Sequence, residues 1–129
     1  MQASWSDDVF RLFLTTLGRE PEESGLLGWS ENLANGYGFN DVIALFISGP
    51  EFQIVYGETT DAEFVTLLYE NVLGRGPEDV GLNGWVSNLE AGMHRVDVVA
   101  HFAQSPEFVI TSHQELIDFM RDLGPDDVI

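Results

Sequence analysis

His94, Asp97 and His101 stand at i, i+3 and i+7, a spacing that puts three potential metal ligands on one helix face. A second group of candidates is the acids Glu20, Glu22 and Glu23, matched later by Glu78 and Asp79. Neither acidic turn has the alternating acids, central glycine and terminal glutamate of an EF-hand loop, and acids at a helix start are accounted for by the helix dipole. Arg19 and Arg75 each suit an anionic ligand or a planar, bidentate pair with a carboxylate. Trp29 and Trp85 suit a sugar-stacking platform or the apolar stripe of a helix. The sequence has no cysteine, no G-x-S-x-G elbow, no H-E-x-x-H and no phosphate-cradling glycine loop, so no enzyme is expected.

These residues are positioned by a repeat. Trp29 recurs as Trp85, an offset of 56 residues, and LTTLGREPEESGLLGWSENLANG recurs as YENVLGRGPEDVGLNGWVSNLEAG. Pro50-Glu51-Phe52 recurs as Pro106-Glu107-Phe108. Such self-similarity marks a supersecondary unit that cannot bury its apolar face alone. The offset weakens the metal reading, because the counterparts of the three ligands are Gly38, Asp41 and Leu45. It favours structural roles for Arg19, Trp29, Glu51, Arg75, Trp85 and Glu107.

Each copy predicts four helices. Ser4 and Thr60 are N-cap candidates, Thr60 with Glu63 making a capping box, and Gly18 and Gly74 stop the first helix. Pro21 and Pro77 suit the first turn of the second helix, with Leu26, Trp29, Leu33 and Leu82, Trp85, Leu89 as its stripes and Gly36 and Gly92 closing it. Gly25, Gly28, Gly81 and Gly84 lie inside that helix at a cost near 1 kcal/mol each, which predicts close approach by a neighbour. The third helix runs from near Phe39 to Ile47 and from near Arg95 to Ala103, with Asp41 and Asp97 in its first turn. The fourth opens at Pro50 and Pro106, and its second copy is longer, ending at Gly124-Pro125. The expected architecture is all-α: two tandem four-helix units, 4–59 and 60–129, about eight helices in a single domain over 1–129.

Composition limits the partners. Twenty-two acidic residues face five basic ones, all arginine, for a formal charge of −17. Such a field repels phosphate backbones and anionic bilayers, so neither nucleic acid nor a membrane is expected as partner. No apolar run approaches the length needed to span a bilayer, and MQASWSDDVF has neither a basic region nor an apolar core of a signal peptide.

The pattern L-G-R-x-P-E-x-x-G-L-x-G-W-x-x-x-L-x-x-G, then D-V-x-A-x-F and P-E-F, resembles a large bacterial family known only as domain of unknown function 4214. Leu73, Gly74, Arg75, Pro77, Gly81, Leu82, Trp85 and Ser105-Pro106-Glu107-Phe108 carry the resemblance. It is distantly similar to the helical linker domains of phycobilisomes as well. The resemblance implies an all-helical unit of secreted and surface-associated proteins, often beside calcium-binding repeats, with no established activity. Two departures stand out: Gly49 where the second copy has Ser105, and Gly38-Phe39 and His94-Arg95 where the family commonly has a hydroxyl cap followed by arginine.

The functional expectation is a non-catalytic interaction or assembly module that binds a protein partner or itself. The alternative is a calcium-responsive or glycan-binding surface module; no cofactor is expected. Location is expected outside the cell or at its surface without an N-terminal signal, with the cytoplasm left open. Because the turns between helices two and three diverge while the scaffold repeats, Tyr37, Phe39, Met93, His94 and Arg95 are the candidate binding residues.

Overall fold

The structure is a computed structural model that describes the backbone of residues 3–123 and the side chains of residues 5–123. Its elements are α1 (Ala3–Leu17), α2 (Glu23–Ala34), α3 (Phe39–Ser48) and α4 (Pro50–Tyr56), then α5 (Asp61–Leu73), α6 (Asp79–Glu90), α7 (Arg95–Ala103) and α8 (Pro106–Leu123). Helix for helix, the second four repeat the first. Gly124-Pro125, the expected stop of the last helix, lies outside the described residues.

The local signals act as their chemistry requires. Thr60 accepts from the Glu63 amide at 3.1 Å while the Glu63 carboxylate accepts from the Thr60 amide at 2.9 Å, a complete capping box. Gly18 and Gly74 end α1 and α5 at φ 68° and 71°, where a Cβ would be strained. Two expectations shift. Ser4 lies inside the first turn of α1 rather than ahead of it. Pro21 and Pro77 precede α2 and α6: Glu22 and Glu78 take the extended N-cap conformation, and their carbonyls accept the first helical bonds from Leu26 and Leu82.

The Gly49/Ser105 departure has a steric cause. α3 runs to Ser48 and α4 starts at Pro50, so a Cβ on Gly49 would stand 2.9 Å from the Leu45 carbonyl. α7 stops at Ala103, which leaves room for Ser105, whose hydroxyl accepts from the Phe108 amide at 3.2 Å and caps α8.

One hydrophobic core draws on both units, and α1 is its axis, packing against α2, α3, α4, α5, α7 and α8. Every residue from Val9 to Thr16 is buried, so α1 is covered on all sides. Its buried polar groups are satisfied: Thr15 and Thr16 donate to the Arg11 and Leu12 carbonyls, and Arg11 Nε donates to Ser112 on α8 at 3.1 Å. Counterpart helices meet pairwise, α1 with α5 and α3 with α7, and Asn71 of α5 donates to the carbonyl of its own counterpart Thr15 at 2.9 Å. Like faces therefore pack on like, as in an isologous interface.

Helix length breaks this symmetry. α8 has 18 residues where α4 has 7, and its extra turns cover α1, with Phe119 against Phe10 at 5.1 Å between ring centroids. Burying Phe10 completely contributes roughly 1.5–3 kcal/mol. On α5 nothing equivalent arrives among the described residues, and a cleft of about 430 Å³ borders the same face. The sequence agrees, since Phe10 and Leu14 become Thr66 and Glu70.

Candidate functional site: two equivalent clefts

Between the first three helices of each unit stands a trio of aromatic rings. In unit one Phe46 of α3 meets Phe13 of α1 edge-on at 4.9 Å and Trp29 of α2 at 5.2 Å. In unit two Phe102 of α7 meets Tyr69 of α5 edge-on at 5.1 Å and Trp85 of α6 at 5.5 Å. The helix-interior glycines explain how the rings fit. A Cβ on Gly25 would stand 3.2 Å from the Phe13 ring, and one on Gly81 would stand 2.6 Å from the Tyr69 hydroxyl. Gly28 and Gly84, expected to serve the same purpose, face open space. Both tryptophans are half-buried, each packed on the phenylalanine of its trio and bordering a cleft.

Each unit has such a cleft at the same place, about 250 Å³ in both. Phe13, Trp29, Phe46 and Glu51 border the first, and their counterparts Tyr69, Trp85, Phe102 and Glu107 border the second.

Their electrostatics differ. In unit one Arg19 forks onto Glu51, with Nε and Nη2 each donating at 2.6 Å, while Nη1 donates to the Glu20 carbonyl at 2.9 Å and lies 3.2 Å from Glu22. The guanidinium carbon stands 5.3 Å from the centroid of the Phe13 ring. The two hydrogen bonds hold the Glu51 carboxyl below its usual range and raise the arginine. In unit two, Arg75 and Glu107 are exposed, and among the described residues Arg75 makes no hydrogen bond or ion pair. Among the described residues, the expected pairing is present for Arg19, while Arg75 has no such partner. Local sequence differs at the point of divergence: Glu20, whose carbonyl helps hold Arg19, is replaced by Gly76.

The family described as "Domain of unknown function (DUF4214)" matches residues 43–111, just over half of the 129-residue chain. The chain belongs to this family. The matched span starts within α3 and ends within α8, so it contains all of α5, α6 and α7, including the second cleft's Tyr69, Trp85, Phe102 and Glu107. No curated protein and no solved structure matches.

Within the DUF4214 frame, the divergent turns separate into exposed and internal residues. Tyr37 is 54% exposed, and His94 is exposed as well. Phe39 and Met93 are partly buried against the core, Phe39 with its ring 6.4 Å from that of Trp5. Arg95 is engaged inside the chain: it donates to the Thr59 hydroxyl at 2.9 Å, to the Thr59 carbonyl at 2.8 Å and to Asp61 at 3.0 Å, above the Phe64 ring at 4.7 Å. Trp5 and Asp61 are counterparts, as are Phe39 and Arg95. The same contact between the first and third helices is thus aromatic in one unit and ionic in the other. Part of the divergence read as binding chemistry is paired substitution within the fold.

Among the described residues no group of three or more His, Asp or Glu side chains is arranged to hold a metal ion, so His94, Asp97 and His101 are not brought to one point. His101 instead lies against Trp85 at 5.5 Å and borders the second cleft with Ser105. Sequence reasoning passed over Tyr69, His101 and Ser105 as cleft residues. The signal was present: each replaces a nonpolar counterpart, Phe13, Leu45 or Gly49, so polarity accumulates at one site of the second copy.

Proposed function

We propose that this protein is a non-catalytic helical interaction or assembly module, working outside the cell or at its surface. The observation that carries the reading is a repeated exposure of aliphatic side chains on the fourth helix of each unit. Ile54 on α4 and Ile110 on α8 are counterparts, 83% and 75% exposed. Val55 is exposed beside Ile54, and Ile117 is exposed on the face of α8 that carries Ile110, seven residues on. A single exposed aliphatic is ordinary, whereas the same position left apolar in both copies supports a contact surface. The extracellular setting draws on the family resemblance and on the acidic, lysine-free composition.

The test is the double variant Ile54→Ser, Ile110→Ser compared with the parent, by thermal melting and by capture from the native envelope and medium. The expected result is an unchanged melting temperature with loss of a partner that the parent retains. Identical capture by both would remove this surface from the proposal. Among the described residues, no helix is long and apolar enough to cross a membrane.

A further inference from the structure

The two clefts supply an internal comparison. In unit one a guanidinium sits between an aromatic face and a carboxylate at the edge of the cleft: Arg19 lies 5.3 Å from the Phe13 centroid and forks onto Glu51 at 2.6 Å. Unit two places the same ring position and the same carboxylate position, Tyr69 and Glu107, around a cleft of equal size, with the Trp85 ring at its side. The chain's own arginine does not enter it, for Arg75 is exposed and Glu107 is without an ion pair among the described residues. His101, Ser105 and the Tyr69 hydroxyl add polar groups there that the first cleft lacks.

We propose that the second cleft is a receptor for an arginine side chain of a partner protein. It rests on the interaction-module reading for the partner being a protein, and it assigns the chemistry of the contact. A guanidinium matches both walls at once, stacking on an aromatic face and taking a bidentate grip on Glu107, as Arg19 does in the sister cleft. The net charge of −17 favours a cation over any anionic ligand and draws basic segments toward the surface. Ile54 and Ile110 are not residues that border this cleft, so the cleft is tested separately from them.

The probe is the peptide acetyl-Gly-Arg-Gly-amide, with its citrulline analogue as the neutral isostere. Binding is read from the indole N–H resonances of Trp29 and Trp85, assigned with Trp29→Phe and Trp85→Phe. The expected result is a saturable shift of Trp85 in roughly the millimolar range, with Trp29 unmoved and the citrulline peptide inert. Glu107→Gln, a change at an exposed site, should abolish the shift while the melting temperature stays within about 2 °C, as expected of a surface substitution. Self-association lost in both Glu107→Gln and Arg75→Ala would place the arginine on a second copy of this chain and overturn the assignment to a separate partner. Equal shifts of both indoles, a response that survives Glu107→Gln, or a response to a neutral oligosaccharide but not to the arginine peptide would overturn it. So would a response that emerges only after Arg75→Ala, because the chain's own arginine would then be the occupant. Failure here, with the effect of the isoleucine variant intact, removes the arginine site and leaves the interaction module standing.

Discussion

Arg19 and Arg75 occupy identical positions in the repeat, yet among the described residues one is held by a carboxylate, a carbonyl and a ring and the other is not. The residue types were legible in the sequence; their pairing was not, because a fork depends on where a carbonyl one residue away points and on what the neighbouring helix end leaves free. Tryptophan behaved more transparently, since helical spacing among leucines put Trp29 and Trp85 on the core side of their helices, and only their half-exposure needed coordinates. Ser30 shows a different residue-scale feature. Its hydroxyl is buried without a hydrogen-bond partner among the described residues, whereas its counterpart is Val86. An unsatisfied buried hydroxyl costs on the order of 1 kcal/mol or more. Ser30→Ala is therefore expected to raise the melting temperature by a few degrees in calorimetry; a lowered melting temperature would mean that the hydroxyl has a partner in solution.

At the scale of elements, helix count, order and most boundaries followed from caps, glycine stops and apolar spacing, because those signals act within a few residues. What escaped was the division of labour between equal-looking helices. α1 is buried on every side and α5 on one stripe, and the cause is the extra length of α8, a tertiary effect. Phe119→Ala should consequently lower stability by about 2 kcal/mol, below the usual loss for a core phenylalanine because the ring is partly exposed. Denaturant unfolding measures this directly, and an unchanged midpoint would show that the last turns of α8 do not cover α1. The glycines of α2 and α6 divide similarly. Gly28 and Gly84 meet nothing within 4 Å, so Ala at either should stabilise its helix by about 0.5–1 kcal/mol. Gly81→Ala must displace the Tyr69 hydroxyl and is expected to lose that gain or reverse it. Equal stabilisation at Gly81 and Gly84 in melting experiments would show that the ring yields freely.

Over the whole molecule, −17 is the dominant global feature, and the titrating groups add to it with definite signs. Burial raises Asp7 and Asp8, against the opposing pull of Arg11, and a hydrogen bond with Glu115 raises Glu20. An acid whose folded-state pKa is raised binds its proton more tightly when folded, so its contribution to stability grows as pH falls through that pKa. Glu51 acts oppositely, its support being present above the ordinary carboxylate range and lost as pH falls through its depressed value. Melting temperature is thus expected to rise from pH 7 toward 5 and to rise with salt at pH 7, as protonation and screening relieve repulsion. A flat profile in both would remove electrostatic repulsion from the account. The repeat itself was plain in the sequence, while its functional inequality was not, since it depends on whether an arginine is held inside its cleft or left in solvent. That inequality is tested most directly by melting Arg19→Ala and Arg75→Ala side by side at pH 7 and low salt. Loss of a partly exposed fork and its ring contact should cost Arg19→Ala about 1 kcal/mol, a drop of roughly 3–5 °C, with Arg75→Ala within about 1 °C of the parent. Equal drops for the two variants would mean that both arginines are held by their own units, and would contradict the account.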